Sequence, residues 1–198
     1  MKLVLATQNP KKLKEMNEIL SHLGVEVVSE AELGMRIEVE ETGDTFTDNA
    51  RLKATAVMQA TGLPAVADDS GLCVDALNGG PGVYSARFGG EGLDDKGRYT
   101  LLLEMLRGQT DRAAHFHTSI VCAFPNGDEL VCEGECPGTI AFAPMGEGGF
   151  GYDPVFFVPE LRKTFGQLTA EEKASVSHRG KALRAFAAAL DDYLKGNE

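Results

Sequence analysis

The chain has 198 residues, 43% of them hydrophobic and 25% charged, which fits a single globular domain or two small lobes around a cleft and excludes a disordered or fibrous chain. Nineteen Lys and Arg stand against thirty Asp and Glu, a formal net charge of −11, so polyanionic backbones are repelled and general nucleic-acid binding is excluded. No apolar stretch approaches the roughly 18 residues of a membrane span. The four cysteines, Cys73, Cys122, Cys132 and Cys136, include no C-x-x-C pair and nothing at the start resembles a secretion signal, so the expectation is a cytoplasmic protein without membrane association.

In chain order, residues 2–7 read as a short buried strand, followed by a helix whose apolar positions Leu13, Met16, Leu20 and Leu23 keep a three-to-four spacing and which Gly24 closes. Strand signals at 25–28 and 37–39 lead into an acidic loop, Glu38-Val39-Glu40-Glu41-Thr42-Gly43-Asp44. A helix over about 45–60 then buries Phe46, Ala50, Ala54 and Val57. A second buried strand, 64–67, is expected to end abruptly in Asp68-Asp69-Ser70-Gly71. Gly79-Gly80-Pro81-Gly82 forms a rigid loop before a helix carrying Leu101, Leu102 and Met105. Strand and helix thus alternate in the first half.

Over residues 113–158 the period changes to two. Phe116, Thr118, Ile120, Cys122 and Phe124 alternate, Pro125-Asn126-Gly127-Asp128 makes a hairpin turn, and 129–135 returns as antiparallel sheet. A glycine loop then leads into Phe150-Gly151-Tyr152-Asp153-Pro154 and the apolar run 155–158. Thr169 and Glu172 have capping-box spacing, and a last helix places Leu183, Phe186, Ala187, Leu190 and Leu194 on one side.

Several cations stand where helix physics disfavours them: Lys11 and Lys12 in a first turn, and His178 and Arg179 just after the cap residue Ser177. An anionic ligand resolves that conflict, as does pairing with surface carboxylates. Thr7-Gln8-Asn9-Pro10-Lys11-Lys12 joins a strand end to a helix, where α/β sheets bind phosphate, although it is not a Walker loop. Asn49 and Lys53 share a helix face and either act on one anion or leave Lys53 to lie along the helix flank. Asp68 and Asp69 repel each other unless a cation or donors lie between them, or else they cap a turn. With Glu38, Glu40 and Glu41 they form a hard-oxygen set suited to Mg²⁺. His115 and His117 share a strand face with no third ligand nearby and read as structural, as Cys132 and Cys136 read as core or surface thiols. Phe150 and Tyr152, held in a glycine loop, stack on a planar base or anchor the loop.

Taken in order, Thr7-x-Asn9-x-x-Lys12, Glu41-Thr42-Gly43-x-Thr45-Phe46-x-x-Asn49-Ala50-x-x-Lys53-Ala54, Ala67-Asp68-Asp69-Ser70-Gly71-Leu72, Pro81-Gly82-Val83-Tyr84-Ser85-Ala86-Arg87, Gly148-Gly149-Phe150-Gly151-Tyr152-Asp153-Pro154 and Glu172-Lys173-x-x-Val176-Ser177-His178-Arg179 resemble the Ham1 family, the inosine/xanthosine triphosphate pyrophosphatases. The match spans nearly the whole chain as one domain, 1–198. The resemblance implies an elongated two-lobed α/β fold with a mixed sheet, flanking helices and a central cleft, assembled as a homodimer. It implies Mg²⁺-dependent hydrolysis of dITP, ITP and XTP to the monophosphate and pyrophosphate, which keeps those nucleotides out of DNA and RNA. It places Thr7, Asn9, Lys12 and Lys53 around the triphosphate with backbone groups of Gln8 and Lys11, makes Asp69 the proton acceptor and a metal ligand, and has Ser70 touch substrate. Glu41 is the acidic-loop metal ligand, ahead of Glu40 and Glu38. Phe150, Gly151, Tyr152 and Asp153 bracket the nucleoside, and Lys173, His178 and Arg179 read the base. Gln8 stands where a small residue is often found, and residues 89–99 match the family pattern poorly. The alternatives are a nucleotide sensor without turnover, a Maf-like nucleotide pyrophosphatase and a general metal phosphatase.

Overall fold

A computed structural model describes residues 1–7 and 9–196. Within them seven strands form one sheet: β1 (Lys2–Leu5), β2 (Glu26–Ser29), β3 (Ala65–Val74), β4 (Ala113–Ala123), β5 (Glu129–Ile140), β6 (Phe156–Val158) and β7 (Lys163–Thr164). Their order across the sheet is β2-β1-β3-β4-β5-β6-β7, which leaves it open with β2 and β7 at its edges. β1 pairs in parallel with β2, Leu3 opposite Val27, and with β3, Val4 opposite Ala65. β6 runs antiparallel to β5 and β7. Among the described residues five α-helices flank the strands: α1 (Pro10–Leu20), α2 (Phe46–Thr61), α3 (Asp95–Met105), α4 (Ala170–Val176) and α5 (His178–Gly196). The protein is therefore α/β with a mixed sheet. None of the described helices is long and apolar enough to cross a membrane.

The chain divides into two compact units, one of Met1–Asp69, Thr118–Gly134 and Lys181–Glu198, the other of Ser70–His117 and Glu135–Gly180. In the first, alternate residues of β1 and β3 feed two cores, because successive strand side chains point to opposite faces. Leu3, Leu5 and Val66 pack with Met16 and Leu20 of α1 and Leu183, Phe186 and Leu190 of α5. Val4 and Ala65 pack with Val57 of α2, and Ala67 with Ala50 and Ala54. These alanines let α2 lie close to the strands. In the second unit, Leu72, Val74, Phe116, Ile140, Phe156 and Phe165 form a core with Leu102 and Leu106. Phe116 stacks on Phe165 at 5.6 Å and meets Phe156 edge-on at 4.7 Å.

Most expected elements form close to their expected bounds, and the polar residues next to them supply the caps. Asn9 accepts from the Lys11 amide with Pro10 opening α1, and the Gly24 αL conformation ends the 3-10 turn that follows it. Asp94 caps α3, and Thr169 and Glu172 complete a capping box on α4. Phe124 and Asp128 close the expected hairpin turn.

Two expectations need correction. Residues 37–39 form no strand: the Ile37 amide donates to the buried carboxylate of Glu30 at 3.0 Å, which replaces the partner that a strand would need. β3 does not stop at Ala67 but runs through Asp68 to Val74. α3 forms as expected and carries Leu101, Leu102 and Met105, with Leu102 and the following Leu106 in the core and Met105 48% exposed.

α2 carries Asn49 and Lys53, so its start is a sensitive point. Its cap Thr45 accepts from the Asp48 amide at 3.0 Å and donates to the Asp48 carboxylate at 2.7 Å. Thr45→Ala is expected to cost about 1 kcal/mol, lowering Tm by roughly 2–4 °C for a chain of this size. Calorimetry checks this, and an unchanged Tm would show that the cap bond contributes nothing net.

Candidate active site

The two adjacent acids of β3 do not share one environment. Asp68 is buried at 4% exposure, and its carboxylate accepts from the Lys12 ammonium of α1 at 2.6 Å. Asp69 points to the opposite face, where the Asn49 side-chain amide of α2 donates to Oδ2 at 3.3 Å and the Lys53 ammonium lies 3.6 Å from Oδ1. Strand alternation thus removes the expected repulsion by giving each acid its own face and lysine. Lys53 also meets the Glu41 carboxylate at 2.8 Å and donates to the Asp68 carbonyl oxygen at 2.7 Å. Both lysines therefore reach Asp68, one at its side chain and the other at its backbone.

Glu41 is the acidic-loop residue brought to this cluster, while Glu38 and Glu40 are exposed and Glu38 pairs with Arg36. The loop is held by its neighbour Gly43, whose amide donates to Asn49 Oδ1 at 2.8 Å. Asn49, fully buried, thereby joins the acidic loop to Asp69. A Cβ on Gly43 would lie 2.7 Å from Asp48 Cβ and 2.8 Å from Asn49 Oδ1. Gly43→Ala is expected to cost about 1–3 kcal/mol by overpacking, read as a lower denaturant midpoint with an unchanged slope.

Behind the cluster, α2 is fastened to β4 and β5. Arg51 grips Glu129 with its Nε and NH2 groups, and the hydroxyls of Thr47 and Ser119 both bond Glu133 Oε1. Thr47 and Arg51 lie four residues apart and therefore share a helix face, as Asn49 and Lys53 do. These ties set the rotation of α2 and so where Lys53 points.

At the end of β1, the Thr7 hydroxyl accepts from the Asn9 amide at 3.2 Å, and Asn9 Oδ1 from the Lys11 amide at 2.9 Å. The amide and side-chain groups expected to meet phosphate thus serve the start of α1, with the Lys11 side chain exposed and Lys12 turned to Asp68. Gln8 lies outside the described residues.

The second unit gathers the other predicted residues. The Asp153 carboxylate, 3% exposed, accepts from the Phe150 amide at 2.9 Å and pairs with Lys173 at 2.5 Å. The Lys173 ammonium lies 4.7 Å from the Phe150 ring centre and 5.3 Å from that of Phe165. Phe165 continues the group through Phe116, against which the His178 imidazole stacks at 4.7 Å. His178 is thus part of an aromatic stack that begins in the core, with Arg179 half-buried beside it in the first turn of α5. The Ser177 hydroxyl accepts from the Gly180 amide, as its reading as a cap requires. Ser70 is exposed. Phe150 is 76% exposed and free to stack, whereas Tyr152 is 5% exposed and donates its hydroxyl to the Ser85 carbonyl. Of the two readings of Tyr152, the structure gives the anchor: burial pushes its phenol up to about 12. The Gly151 amide donates to Asp95 Oδ2 at 2.7 Å, a tie to the segment that matches the family pattern poorly. An open concavity of about 500 Å³ beside the loop is lined by residues including Asp95, Tyr99 and Phe150.

His117 pairs with Glu135 at 3.0 Å. None of the four cysteines is in a disulfide, and burial raises the thiols of Cys73, Cys122 and Cys132.

Burial pushes the Asp153 carboxyl above the ordinary carboxylate range, against the opposing attraction of Lys173 and the Phe150 amide. An acid raised in this way holds its proton more readily folded than unfolded, so its stabilising effect is greatest in acid and is lost as pH rises through the folded value. The Tm of the protein relative to Asp153→Asn is therefore expected to fall as pH rises from about 4 toward neutrality. A difference that grows over the same range would contradict the burial effect.

The fold and its charged clusters define the class: an α/β protein whose adjacent sheet carboxylates pair with lysines from two flanking helices. The chain belongs to the Ham1 family, whose model matches residues 3–189. It is 50% identical over 196 residues to a dITP/XTP pyrophosphatase of an Exiguobacterium species, covering 99% of this chain and 100% of the relative. It is 53% identical over 194 residues to a dITP/XTP pyrophosphatase of Thermus thermophilus, covering 97% and 93%. The solved Ham1 protein of Staphylococcus aureus superposes with a TM-score of 0.91 at 41% identity, covering all of both chains. That of Coxiella burnetii superposes with a TM-score of 0.93 at 42% identity, covering 97% of this chain and 99% of the other.

Proposed function

We propose that the protein hydrolyses dITP, ITP and XTP to the nucleoside monophosphate and pyrophosphate. Support comes from relatives named dITP/XTP pyrophosphatase at half identity over almost the whole chain. The observation that carries the reading is the convergence of Glu41 and Asp69 on Lys53. Three carboxylates against two ammoniums leave the Lys12 and Lys53 clusters with one net negative charge. A triphosphate therefore needs a divalent cation to enter. The donor set suits Mg²⁺, which takes one or two carboxylates and completes its shell with water and phosphate oxygens. Among the described residues no group of three or more His, Cys, Asp or Glu is placed to hold a metal, so a two-carboxylate site completed by substrate is the form that fits.

In this proposal Glu41 and Asp69 hold Mg²⁺, which when bound neutralises charge on phosphate oxygens. Lys12 and Lys53 bind the triphosphate electrostatically. The Asp69 carboxylate takes a proton from water as the water oxygen bonds to the α-phosphorus in line. The bond from that phosphorus to the bridging oxygen breaks, and pyrophosphate leaves with the electron pair. Asn49 keeps Asp69 oriented through its side-chain amide. Phe150 stacks on the base, while Lys173 and Arg179 donate to the 6-oxo group that hypoxanthine and xanthine carry where adenine has an amino donor. A mispaired donor in a desolvated pocket is costly, which disfavours ATP. A cytoplasmic homodimer is part of the same proposal.

With Mg²⁺ and a panel of nucleoside triphosphates, pyrophosphate is the expected first product from dITP, ITP and XTP, with ATP and the pyrimidine triphosphates much slower. Asp69→Asn is expected to lose about 10²–10⁴-fold in kcat while remaining folded. Orthophosphate as first product or a preference for ATP would overturn the proposal, and near-wild-type turnover of Asp69→Asn would remove Asp69 from the base role. Binding of ITP without turnover would identify a sensor.

A further inference from the structure

The glycine loop over residues 146–154 is fastened differently at its base and at its tip. At the base, backbone bonds tie Met145 to Pro154, Gly148 to Gly166 and Gly166 to Asp153. A Cβ on Gly146 would lie 2.2 Å from the Gly166 carbonyl oxygen, so the base has no room to shift. At the tip, two consecutive amides are held by carboxylates: Phe150 by Asp153 at 2.9 Å and Gly151 by Asp95 at 2.7 Å. Asp153 is a loop residue whose carboxylate also pairs with Lys173 of α4. Asp95 lies outside the loop, in the first turn of α3, whose cap is the neighbouring Asp94.

Phe150 lies between Gly149 and Gly151, which have φ of 78° and 59°. Glycines there let the backbone take other conformations at little cost, so a fixed ring position needs an outside tie. A Cβ on Gly151 would meet nothing within 4 Å, so packing does not hold that residue in place. Asp95 is itself steadied by Arg98 at 3.8 Å and is 56% exposed.

We propose that Asp95 is a positioning residue for nucleobase recognition, acting through the Gly151 amide to hold Phe150 and the loop tip where a planar purine is received. It rests on the pyrophosphatase function proposed for the chain. Asp95 touches no base in this scheme. A carboxylate that served only the first turn of α3 would affect stability and leave the affinity for the base unchanged.

The test compares Asp95→Ala and Asp95→Asn with the unaltered protein. Calorimetry measures inosine monophosphate binding and inorganic tripolyphosphate binding, ITP kinetics gives kcat and KM, and hydrogen exchange follows peptides covering residues 148–153. For Asp95→Ala, inosine monophosphate affinity is expected to fall and KM for ITP to rise by about tenfold, the loss of one charge-assisted hydrogen bond, with kcat kept within about twofold. Tripolyphosphate affinity stays the same and exchange at the tip accelerates. Asp95→Asn keeps a carbonyl acceptor for the Gly151 amide and is expected to recover most of the affinity. Unchanged inosine monophosphate affinity in Asp95→Ala, or equal losses for both ligands, overturns the proposal. If the unaltered protein binds inosine monophosphate but releases no pyrophosphate from ITP, the function has failed and the Asp95 comparison still decides the positioning role.

Discussion

The ammonium of Lys53 is the interaction on which the charged cluster of the first unit depends. Its four-carbon stem crosses from α2 to reach Glu41 in the acidic loop, the Asp68 carbonyl and the Asp69 carboxylate. Lys53, Glu41 and Asp69 are largely shielded from water, so their attraction is stronger than between surface charges, and removing one partner leaves the others uncompensated. Helix position matters for the same reason. Arg51 with Glu129, and Thr47 with Ser119 and Glu133, keep α2 from rolling away from β3.

Strand geometry then separates two acids that the chain places side by side. Asp68 is buried with Lys12 and Asp69 is offered to Asn49 and Lys53, because a strand turns each successive residue to the other face. Asp68 is a fixed counter-charge under α1. Asp69 keeps an oriented carboxylate in a more open setting, which suits the base role proposed for it.

In the second unit a single ammonium again organises the surroundings. Lys173 is shared by the Asp153 carboxylate and the Phe150 and Phe165 rings, and Phe165 passes the contact through Phe116 to His178. An exposed ring is thereby connected to a rigid aromatic core through one cation. The loop that carries the ring is glycine-rich, so its shape comes from hydrogen bonds made to it by others more than from its own torsional preferences.

The sequence by itself determined most of the element order, the caps at Thr169 and Ser177, the apolar stripes of α2 and α5 and the family, because local periodicity, capping chemistry and ordered motifs are carried by residues near one another in the chain. It also named the lysines and acids of the site by type. It did not decide which acid meets which lysine: Asp68 with Lys12 spans 56 positions and Thr47 with Glu133 spans 86, and such pairings exist only once strands are in register. For the same reason β3 continues through its acids, where local polarity argued for a stop, since each carboxylate found a cation waiting on its own face. Tyr152 and Phe150, equivalent as aromatic residues in a glycine loop, were sorted into anchor and exposed ring by the Ser85 carbonyl. Asp95, one of two adjacent acids opening a helix, was told apart from its capping neighbour Asp94 only by the Gly151 amide that folding brings to it. Tertiary structure decides such cases because a hydrogen bond needs its partner within about 3 Å, and for residues distant in sequence only the folded chain sets that distance.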